Sequence, residues 1–494
     1  MIIKNQSFLF FGVQNMMLML ALLIIIGTFS TKIATKSGLP ALLIFLSIGV
    51  IFGNDFLKLI NFDNAKLAGQ IANIALIFVL FESGFQTKKE ELHDYAGQSM
   101  TLATLGIAVT AGVLGGLIYL IIRPGDIFYS LMIGTIISST DASAVMMIFR
   151  KNSIKRRVSS TLEVESAAND PAAILLTMLM IQLVSGESGN HIGIFIMRLM
   201  WQLLGGLLVG FILGKIACFL FDRLKSENRG YYYVLIIGVS IFIYSLAELV
   251  KANGIIAVFF AGYKIGNTQF TYKRGITSFL EGISTLSNMT IFLMLGLLVS
   301  PKQLQEVWKE GILVAILMMF IARPVAVFLC TLPFKFQFRE KLLLSWGGIK
   351  GAVPIVLSTY PMIHGIDESG KVFNIVFFAV VLSCVLQGTT ITKLAKLLHL
   401  LVPPVPRSPY SLELLTTSQT DVDMFELSIE EKATCCCKKI MDLHLPEGVL
   451  ITSIVRDDKL ISPQGNTEIK PNDILFVLAP VVKIKVVSHL LTGK

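Results

Sequence analysis

Apolar runs of roughly twenty residues recur from the N-terminus to about residue 400 of this chain. A helix of that length spans the hydrocarbon core of a bilayer, because each residue advances the helix by about 1.5 Å. The composition agrees, since 54% of the 494 residues are hydrophobic and 15% are charged. Soluble proteins carry about 25% charged residues. The sequence therefore predicts an all-α polytopic membrane protein, in which the surrounding lipid is a partner.

Short loops divide the membrane part into thirteen predicted spans. The spans cover residues 8–29, 39–54, 67–86, 96–122, 126–149, 159–184, 193–221, 231–250, 253–267, 276–300, 310–334, 340–362 and 370–399. Alternate loops are rich in Lys and Arg, as at Lys88, Lys89, Arg156 and Arg157, whereas the loops between them are poor in both. The positive-inside rule places the basic loops in the cytoplasm. This predicts an N-terminus outside and a C-terminus inside, which requires an odd number of spans.

A proline-rich linker, residues 401–411, separates the predicted membrane domain (1–400) from a C-terminal domain (412–494). Short β-like runs at 449–455, 459–461 and 474–478 alternate there with turn residues, which predicts a small cytosolic α+β domain. Residues 407–494 hold ten Lys and Arg against twelve Asp and Glu, so the net charge of +9 arises in the membrane part. The charge therefore gives no reason to expect nucleic acid as a partner.

Two carboxylates interrupt an apolar span in the stretch Glu165-Ser166-Ala167-Ala168-Asn169-Asp170. A central Asp in a membrane helix costs about 2.5–3.5 kcal/mol on insertion scales, which favours a functional role over packing. Ser166 and Asp170 are four residues apart and share a helix face, and so do Glu165 and Asn169. The carboxylate, hydroxyl and amide oxygens suit an alkali cation. Because burial penalises the charged carboxylate, a proton and a cation should compete for Asp170.

Two other spans contain breaks that each carry one charge. The first runs through Ser138-Ser139-Thr140-Asp141, and the second through Gly347-Gly348-Ile349-Lys350-Gly351 up to Pro354. Transporters built from inverted repeats line a midplane site with a pair of such broken, crossing helices. Asp141 would then balance helix N-termini and Lys350 helix C-termini. The alternative for each span is an ordinary glycine kink with a charge that reaches the membrane surface.

Two further carboxylates receive different predictions. Arg323 is the basic residue inside span eleven, so it is the expected partner of Glu165 in a structural ion pair. Glu82 lies near the cytoplasmic end of span three, where it would either bind ions at the funnel to the site or be a solvated helix end.

Together these motifs resemble the monovalent cation:proton antiporters of the NhaP type. The motifs are Thr140-Asp141, Glu165-Ser166-x-x-Asn169-Asp170, Ala322-Arg323-Pro324 and Gly347-Gly348-x-Lys350-Gly351-Ala352. The resemblance implies a thirteen-helix fold that forms a homodimer, with inverted repeats and a six-helix core that holds the ion. It also implies electroneutral exchange, because the Asn-Asp pair is similar to that of the electroneutral branch. The chain departs from the family pattern at Lys350, where Arg is usual, and at Pro171, where Gly is common.

The resemblance also implies roles for individual residues. Asp170 would bind the cation or the proton, and Ser166 and Thr140 would add oxygen ligands to an alkali cation, with the carbonyl of Thr140 as one candidate group. Asn169 and Asp141 would orient this site.

The C-terminal domain resembles the regulatory domain of potassium-conductance regulators, the TrkA-C type. The resemblance rests on runs such as Leu445-Pro446-Glu447-Gly448 and Ile461-Ser462-Pro463-Gln464-Gly465. An antiporter with this tail is similar to the bacterial cell-volume-regulation potassium/proton antiporters of the inner membrane. That likeness favours K⁺ over Na⁺ and implies regulation by a small ligand, with a nucleotide as the candidate. No resident cofactor is implied.

The sequence therefore predicts a secondary active antiporter rather than an enzyme. Two alternatives share the broken-helix plan, namely a ligand-gated cation channel and a sodium-coupled solute symporter. A channel would need a carbonyl filter or rings of charge, and neither pattern occurs in this sequence. An intramembrane hydrolase is disfavoured because the sequence has neither a Gly-x-Gly-Asp nor a His-Glu-x-x-His motif.

Overall fold

The computed structural model describes residues 18, 21–32, 41–53, 57, 64–149, 153–186, 192–224, 226, 228–270, 272–299, 301–366, 369–402, 422–429, 433–457 and 459–493. Most of the predicted proline-rich linker and the start of the first predicted span lie outside these residues. The chain forms two compact units. The first holds residues 1–218, 234–268 and 277–402, and the second holds residues 219–233, 269–276 and 403–494.

The membrane part is helical almost throughout its described residues. Its helices are α1 (Ala21–Lys32), α2 (Ala41–Phe52), α3 (Ala65–Gln86), α4 (Lys89–Thr101), α5 (Ile107–Ile121), α6 (Ile127–Ser138), α7 (Ala142–Ile148), α8 (Arg156–Val184), α9 (Ile192–Leu224), α10 (Arg229–Leu249), α11 (Gly254–Gly266), α12 (Lys273–Leu298), α13 (Pro301–Leu317), α14 (Arg323–Cys330), α15 (Phe338–Trp346), α16 (Ala352–Ser358), α17 (Tyr360–Ile363), α18 (Ser369–Leu382) and α19 (Gly388–Leu397).

Among the described residues, eight helical segments are long and apolar enough to cross a membrane. They are Lys66–Gln86, Tyr95–Ile121, Arg156–Val184, Met200–Leu224, Arg229–Leu249, Lys273–Leu298, Lys302–Cys330 and Gly370–Leu397. Five shorter apolar helices, of which Ile127–Ser138 is one, overlap the remaining five predicted spans. The prediction of a polytopic helical protein is confirmed at this level. The count of thirteen spans stays a prediction, because a helix of 12 residues reaches only about 18 Å.

Side-chain caps fix where several membrane helices begin. Asn64 accepts a hydrogen bond from the backbone N–H of Leu67 at the start of α3, and Asp126 accepts one from Tyr129 at the start of α6. Asn253 accepts from two N–H groups in the first turn of α11. Such caps satisfy backbone donors that have no partner inside the helix. They therefore fix the residue at which each of these helices begins.

Glycines let α3 and α11 approach each other closely. A β-carbon added at Gly84 would lie 2.1 Å from the carbonyl oxygen of Phe259, and one added at Gly262 would lie 2.3 Å from the carbonyl oxygen of Phe81. Only glycine fits at such contacts between two backbones.

Two of the predicted spans are interrupted where the sequence places breaks. The first ends as a helix at Ser138 and resumes at Ala142, and the second ends at Trp346 and resumes at Ala352. The long helix α8 follows the first break and continues without interruption past Pro171. A long span, a broken span and another long span thus follow one another twice along the chain.

Three of the spans that flank the breaks contain one turn of π-helix. These turns are Leu102–Gly106, Met318–Ala322 and Ser383–Gln387. A π-turn widens the helix by one residue and rotates the faces that lie beyond it, and such turns are frequent at functional sites.

The C-terminal domain holds a four-stranded antiparallel sheet in the order β3-β6-β4-β5. The strands are β3 (Val422–Ser428), β4 (Leu450–Arg456), β5 (Lys459–Ile461) and β6 (Ile474–Pro480). Helix α20 (Ile484–Thr492) buries Val487 and Leu491 in the core of this domain. A two-stranded pair, β1 (Ser153–Ile154) with β2 (Leu401–Val402), belongs to the membrane unit. The predicted α+β character of the tail is confirmed, and β3 is a strand that the sequence patterns did not indicate.

Candidate cation site

The two broken spans meet at their non-helical segments. The backbone N–H of Asp141 donates a hydrogen bond to the carbonyl oxygen of Ile349 at 2.7 Å. Both segments are buried, with Thr140 exposed by 4% and Lys350 by 0% of their surfaces. Backbone groups in a membrane interior need partners, and here each break supplies a partner to the other. At this crossing of the two broken spans, the unwound backbone of one span is hydrogen-bonded to that of the other.

Asp170, on α8, lies beside the first break. One of its carboxylate oxygens accepts a hydrogen bond of 2.5 Å from the hydroxyl of Ser139, the first residue after α6. Ser139 is buried, whereas Asp170 keeps part of its surface exposed. A carboxylate that is held by a neutral hydroxyl and is partly accessible can take up either a proton or a cation.

Two neighbours of Asp170 on α8 bind the same unwound segment through Thr140. The Ser166 hydroxyl donates to the Thr140 carbonyl oxygen at 2.9 Å, and the Asn169 amide donates to the Thr140 hydroxyl at 2.6 Å. The three predicted residues of α8 therefore converge on residues 139–140. The oxygens gathered here come from a carboxylate, hydroxyls and a carbonyl, a ligand set that suits a hard cation rather than a soft one.

The two charges at the breaks lie at helix ends. The Lys350 ammonium donates to the carbonyl oxygen of Ser138, the last residue of α6, at 3.0 Å. Asp141 accepts from the N–H of Ala144 in the first turn of α7 at 3.3 Å. A β-carbon added at Gly351 would lie 2.5 Å from a carboxylate oxygen of Asp141, so Asp141 also contacts the start of α16. A cation at a helix C-terminus and an anion at N-termini oppose the partial charges of those ends.

Glu165 and Arg323 form a buried, bidentate ion pair. The two terminal guanidinium nitrogens donate to the two carboxylate oxygens at 2.6 and 2.9 Å. The side chains are 1% and 3% exposed. A β-carbon at Gly348 would lie 2.6 Å from Nε of Arg323, so glycine in the second break leaves room for the guanidinium. Glu165 and Asp170 thus differ in partner, because Glu165 is paired with the guanidinium of Arg323, whereas no cationic side chain is hydrogen-bonded to Asp170 among the residues that the structure describes.

Glu82 lies in a different polar cluster, between α3 and α12. Its carboxylate accepts from the amide of Gln86 and, at 3.4 Å, from the hydroxyl of Ser284. The Gln86 amide also lies 3.3 Å from a carboxylate oxygen of Glu281. The structure therefore does not bring Glu82 into the cluster around Asp170.

Ser139 is a site residue that the sequence reasoning missed. It lies in a run of three hydroxyl residues, Ser138 to Thr140. This run indicated a break in the helix, but it did not indicate which of the three hydroxyls would face α8. The orientation depends on where α6 ends.

Comparisons with known proteins bear on both parts of the chain. A family model described as sodium/hydrogen exchanger, transmembrane, matches residues 18–397, and the TrkA-C domain matches residues 424–492. The chain is 31% identical over 489 residues to the K⁺/H⁺ antiporter NhaP2 of Shewanella sp. (strain MR-4), covering 97% of this chain and 83% of that protein. It is 32% identical over 487 residues to the K⁺/H⁺ antiporter NhaP of Alkalimonas amylolytica, with 96% and 83% covered.

A solved structure is also similar. The sodium proton antiporter MjNhaP1 from Methanocaldococcus jannaschii at pH 8 superposes with a TM-score of 0.70 and 25% sequence identity. The superposition covers 78% of this chain and 99% of that one.

Proposed function

Because the chain belongs to the sodium/hydrogen exchanger family, we propose that it exchanges K⁺ for H⁺ across the bacterial inner membrane by alternating access at Asp170. Cation:proton antiport is the activity of the family. The choice of K⁺ over Na⁺ is supported by the relatives named K⁺/H⁺ antiporters and by the TrkA-C domain. The observation that carries the proposal is the hydrogen bond from Ser139 in the first break to the partly exposed carboxylate of Asp170.

In this proposal Asp170 holds the cation and the proton in turn. With the proton bound, the Asp170 carboxyl is neutral and bonds Ser139. With the cation bound, the carboxylate and the hydroxyl oxygens of Ser139 and Ser166 are its ligands. The Thr140 carbonyl adds its second lone pair, since the first accepts from Ser166 at 2.9 Å. Asn169 orients Thr140, and Asp141 holds the break that carries it.

The exchange is proposed to be electroneutral, with one cation for one proton. Asp170 is the carboxylate at the crossing that bonds a neutral hydroxyl, whereas Glu165 is paired with Arg323 and Asp141 lies at helix starts. A single titrating carboxylate carries a single charge in either direction. Glu82 is proposed to line the path from the cytoplasm, in its own cluster with Ser284.

The tail is proposed to regulate exchange, with a small ligand such as a nucleotide as its effector. Within the second compact unit, the guanidinium of Arg274 lies 3.0 Å from a carboxylate oxygen of Asp423 on β3. Arg274 is the second residue of α12, a helix that continues to Leu298 and carries Ser284. A movement of β3 would therefore act on α12. The orientation with the C-terminus in the cytoplasm and the homodimer are part of the same proposal.

Proton flux in everted membrane vesicles tests the proposal. K⁺, Na⁺ or Li⁺ is added to vesicles that hold an imposed pH gradient, and the loss of the gradient is followed by a pH-sensitive dye at several pH values. Asp170→Asn is expected to abolish exchange while its yield and its elution in detergent match the wild type. Glu306→Gln, which changes an exposed carboxylate on α13, is the control and should exchange at the wild-type rate.

Two results would count against the proposal. Exchange by Asp170→Asn at the wild-type rate would show that Asp170 is not the residue that binds the exchanged ions. Exchange that is supported by Na⁺ but not by K⁺ would keep the site and reverse the ion preference.

A further inference from the structure

The π-turn Ser383–Gln387 in the last span lies against the second break. The Ser383 hydroxyl accepts a hydrogen bond of 3.1 Å from the backbone N–H of Lys350. The thiol of Cys384 donates to the carbonyl oxygen of the same residue at 3.1 Å. Both backbone groups of Lys350 are thus bound by one π-turn. Since unwound backbone in a membrane needs such partners, this turn holds Lys350 in place.

Gln387 completes this arrangement from the same turn. The Ser383 hydroxyl donates to the Gln387 side-chain oxygen at 2.5 Å, so the serine accepts from Lys350 and donates to the glutamine. Ser383 and Gln387 are both 0% exposed. The amide nitrogen of Gln387 is buried without a hydrogen-bond partner. A buried polar group with an unused donor is costly, which argues that the pair is kept for a role beyond packing.

A chain of contacts connects this pair with Asp170. Lys350 is fixed through its backbone by Ser383, and its ammonium donates to the Ser138 carbonyl at 3.0 Å. Ser138 precedes Ser139, whose hydroxyl binds Asp170 at 2.5 Å. The position of Ser383 therefore bears on where α6 ends and on how Ser139 meets Asp170.

We propose that Ser383 and Gln387 are positioning residues for cation exchange, which act by fixing the backbone of Lys350 and thus its ammonium at the C-terminal end of α6. Neither residue touches the cation. The inference rests on the proposed function, because it assigns these residues to the exchange at Asp170. The hydroxyl of Ser383 is the central group, since it both accepts from Lys350 and donates to Gln387.

The test compares Ser383→Ala, Ser383→Thr and the control Ser240→Ala in everted vesicles. Ser240 is also buried, but its hydroxyl bonds the carbonyl of Ile237 in its own helix. Loss of one hydrogen bond of ordinary strength corresponds to about a fivefold change in an equilibrium. Ser383→Ala is therefore expected to raise the K⁺ concentration for half-maximal exchange about fivefold, with a maximal rate within about twofold of wild type. Ser383→Thr, which keeps a hydroxyl, should restore the wild-type value.

The results separate the two proposals. If the wild type exchanges and Ser383→Ala has the same K⁺ dependence as Ser240→Ala, the positioning role is overturned while the exchange at Asp170 stands. If the wild type does not exchange, the proposed function fails. If Ser383→Ala does not fold, Gln387→Met is measured in its place, and an unchanged K⁺ dependence there overturns the inference equally. A loss of activity that Ser383→Thr does not restore would assign the position to packing instead.

Discussion

The Glu165–Arg323 pair offers a prediction whose magnitude follows from its burial. Each carboxylate oxygen has its own guanidinium donor, at 2.6 and 2.9 Å, and neither side chain is more than 3% exposed. Removing one partner leaves the other charge buried without compensation, which costs about 3–5 kcal/mol. Glu165→Gln and Arg323→Gln are therefore each expected to lower the melting temperature by about 3–5 °C, because the unfolding entropy of a chain of 494 residues is about 1 kcal/mol/K.

The double variant distinguishes a charge effect from a packing effect. Glu165→Gln with Arg323→Gln leaves no buried charge unpaired, so at least half of the stability lost in either single variant should return. Glu310→Gln is the control, because Glu310 and Lys371 form an ion pair at 3.3 Å with side chains 34% and 44% exposed. Exposed pairs contribute about 0–1 kcal/mol, so this variant should melt close to the wild type.

Thermal unfolding in detergent, followed by intrinsic fluorescence or by the folded fraction on size exclusion, measures these effects. The reasoning is refuted if both single variants melt within the range of Glu310→Gln. Full stability of Glu165→Gln with a raised K⁺ requirement in exchange would instead make Glu165 a cation ligand.

Two further predictions concern the second break and the tail. An alanine at Gly351 would place a β-carbon 2.5 Å from Asp141. Gly351→Ala should therefore displace that carboxylate and lower vesicle exchange at least about tenfold. The control is Gly112→Ala, whose added carbon has no atom within 4 Å and which should exchange as the wild type does. A folded Gly351→Ala protein with normal exchange would show that Asp141 need not hold its position. Arg274→Ala breaks the exposed pair with Asp423 and should change stability by less than about 1 kcal/mol, yet shift the pH profile of exchange toward that of a chain lacking residues 408–494. Identical pH profiles of exchange for Arg274→Ala and the wild type would show that the contact between Arg274 and Asp423 has no part in regulation.

Much of the membrane part could be predicted from the sequence because its physical signals are local. An apolar run of about twenty residues has few alternatives to a membrane helix, and glycine with a charge inside such a run marks a break. The family resemblance, which rested on the Asn169-Asp170 pair together with both breaks, is confirmed by the exchanger family model over residues 18–397. The pairing of Glu165 with Arg323, proposed because each needed a counter-charge, is the contact found in the structure.

Other features depended on geometry that a one-dimensional pattern does not carry. Ser139 binds Asp170 because α6 ends at Ser138, and a helix that ended one residue later would present another hydroxyl. The π-turn at Ser383–Gln387 adds one residue to a turn and has no compositional signature, so its contact with Lys350 could not be foreseen. The strand β3 was missed because its alternation of apolar and polar residues is interrupted at the adjacent pair Met424-Phe425, which leaves only short alternating runs on either side.

The charges at the crossing of the two broken spans differ in their partners, and this difference supports Asp170 as the proposed exchanging residue. Lys350 lies at the end of α6, Asp141 lies at the starts of α7 and α16, and Glu165 is bonded to Arg323. Each of these charges is opposed by a group of the protein itself. Among the described hydrogen bonds, Asp170 accepts one from the neutral hydroxyl of Ser139 and none from a cationic group, which supports the proposal that a proton and a cation compensate its charge in turn. Ser139→Lys, which would place an ammonium beside Asp170, should therefore abolish K⁺/H⁺ exchange in the vesicle assay even if the protein folds, because the ammonium would pair with the carboxylate in place of the transported ions.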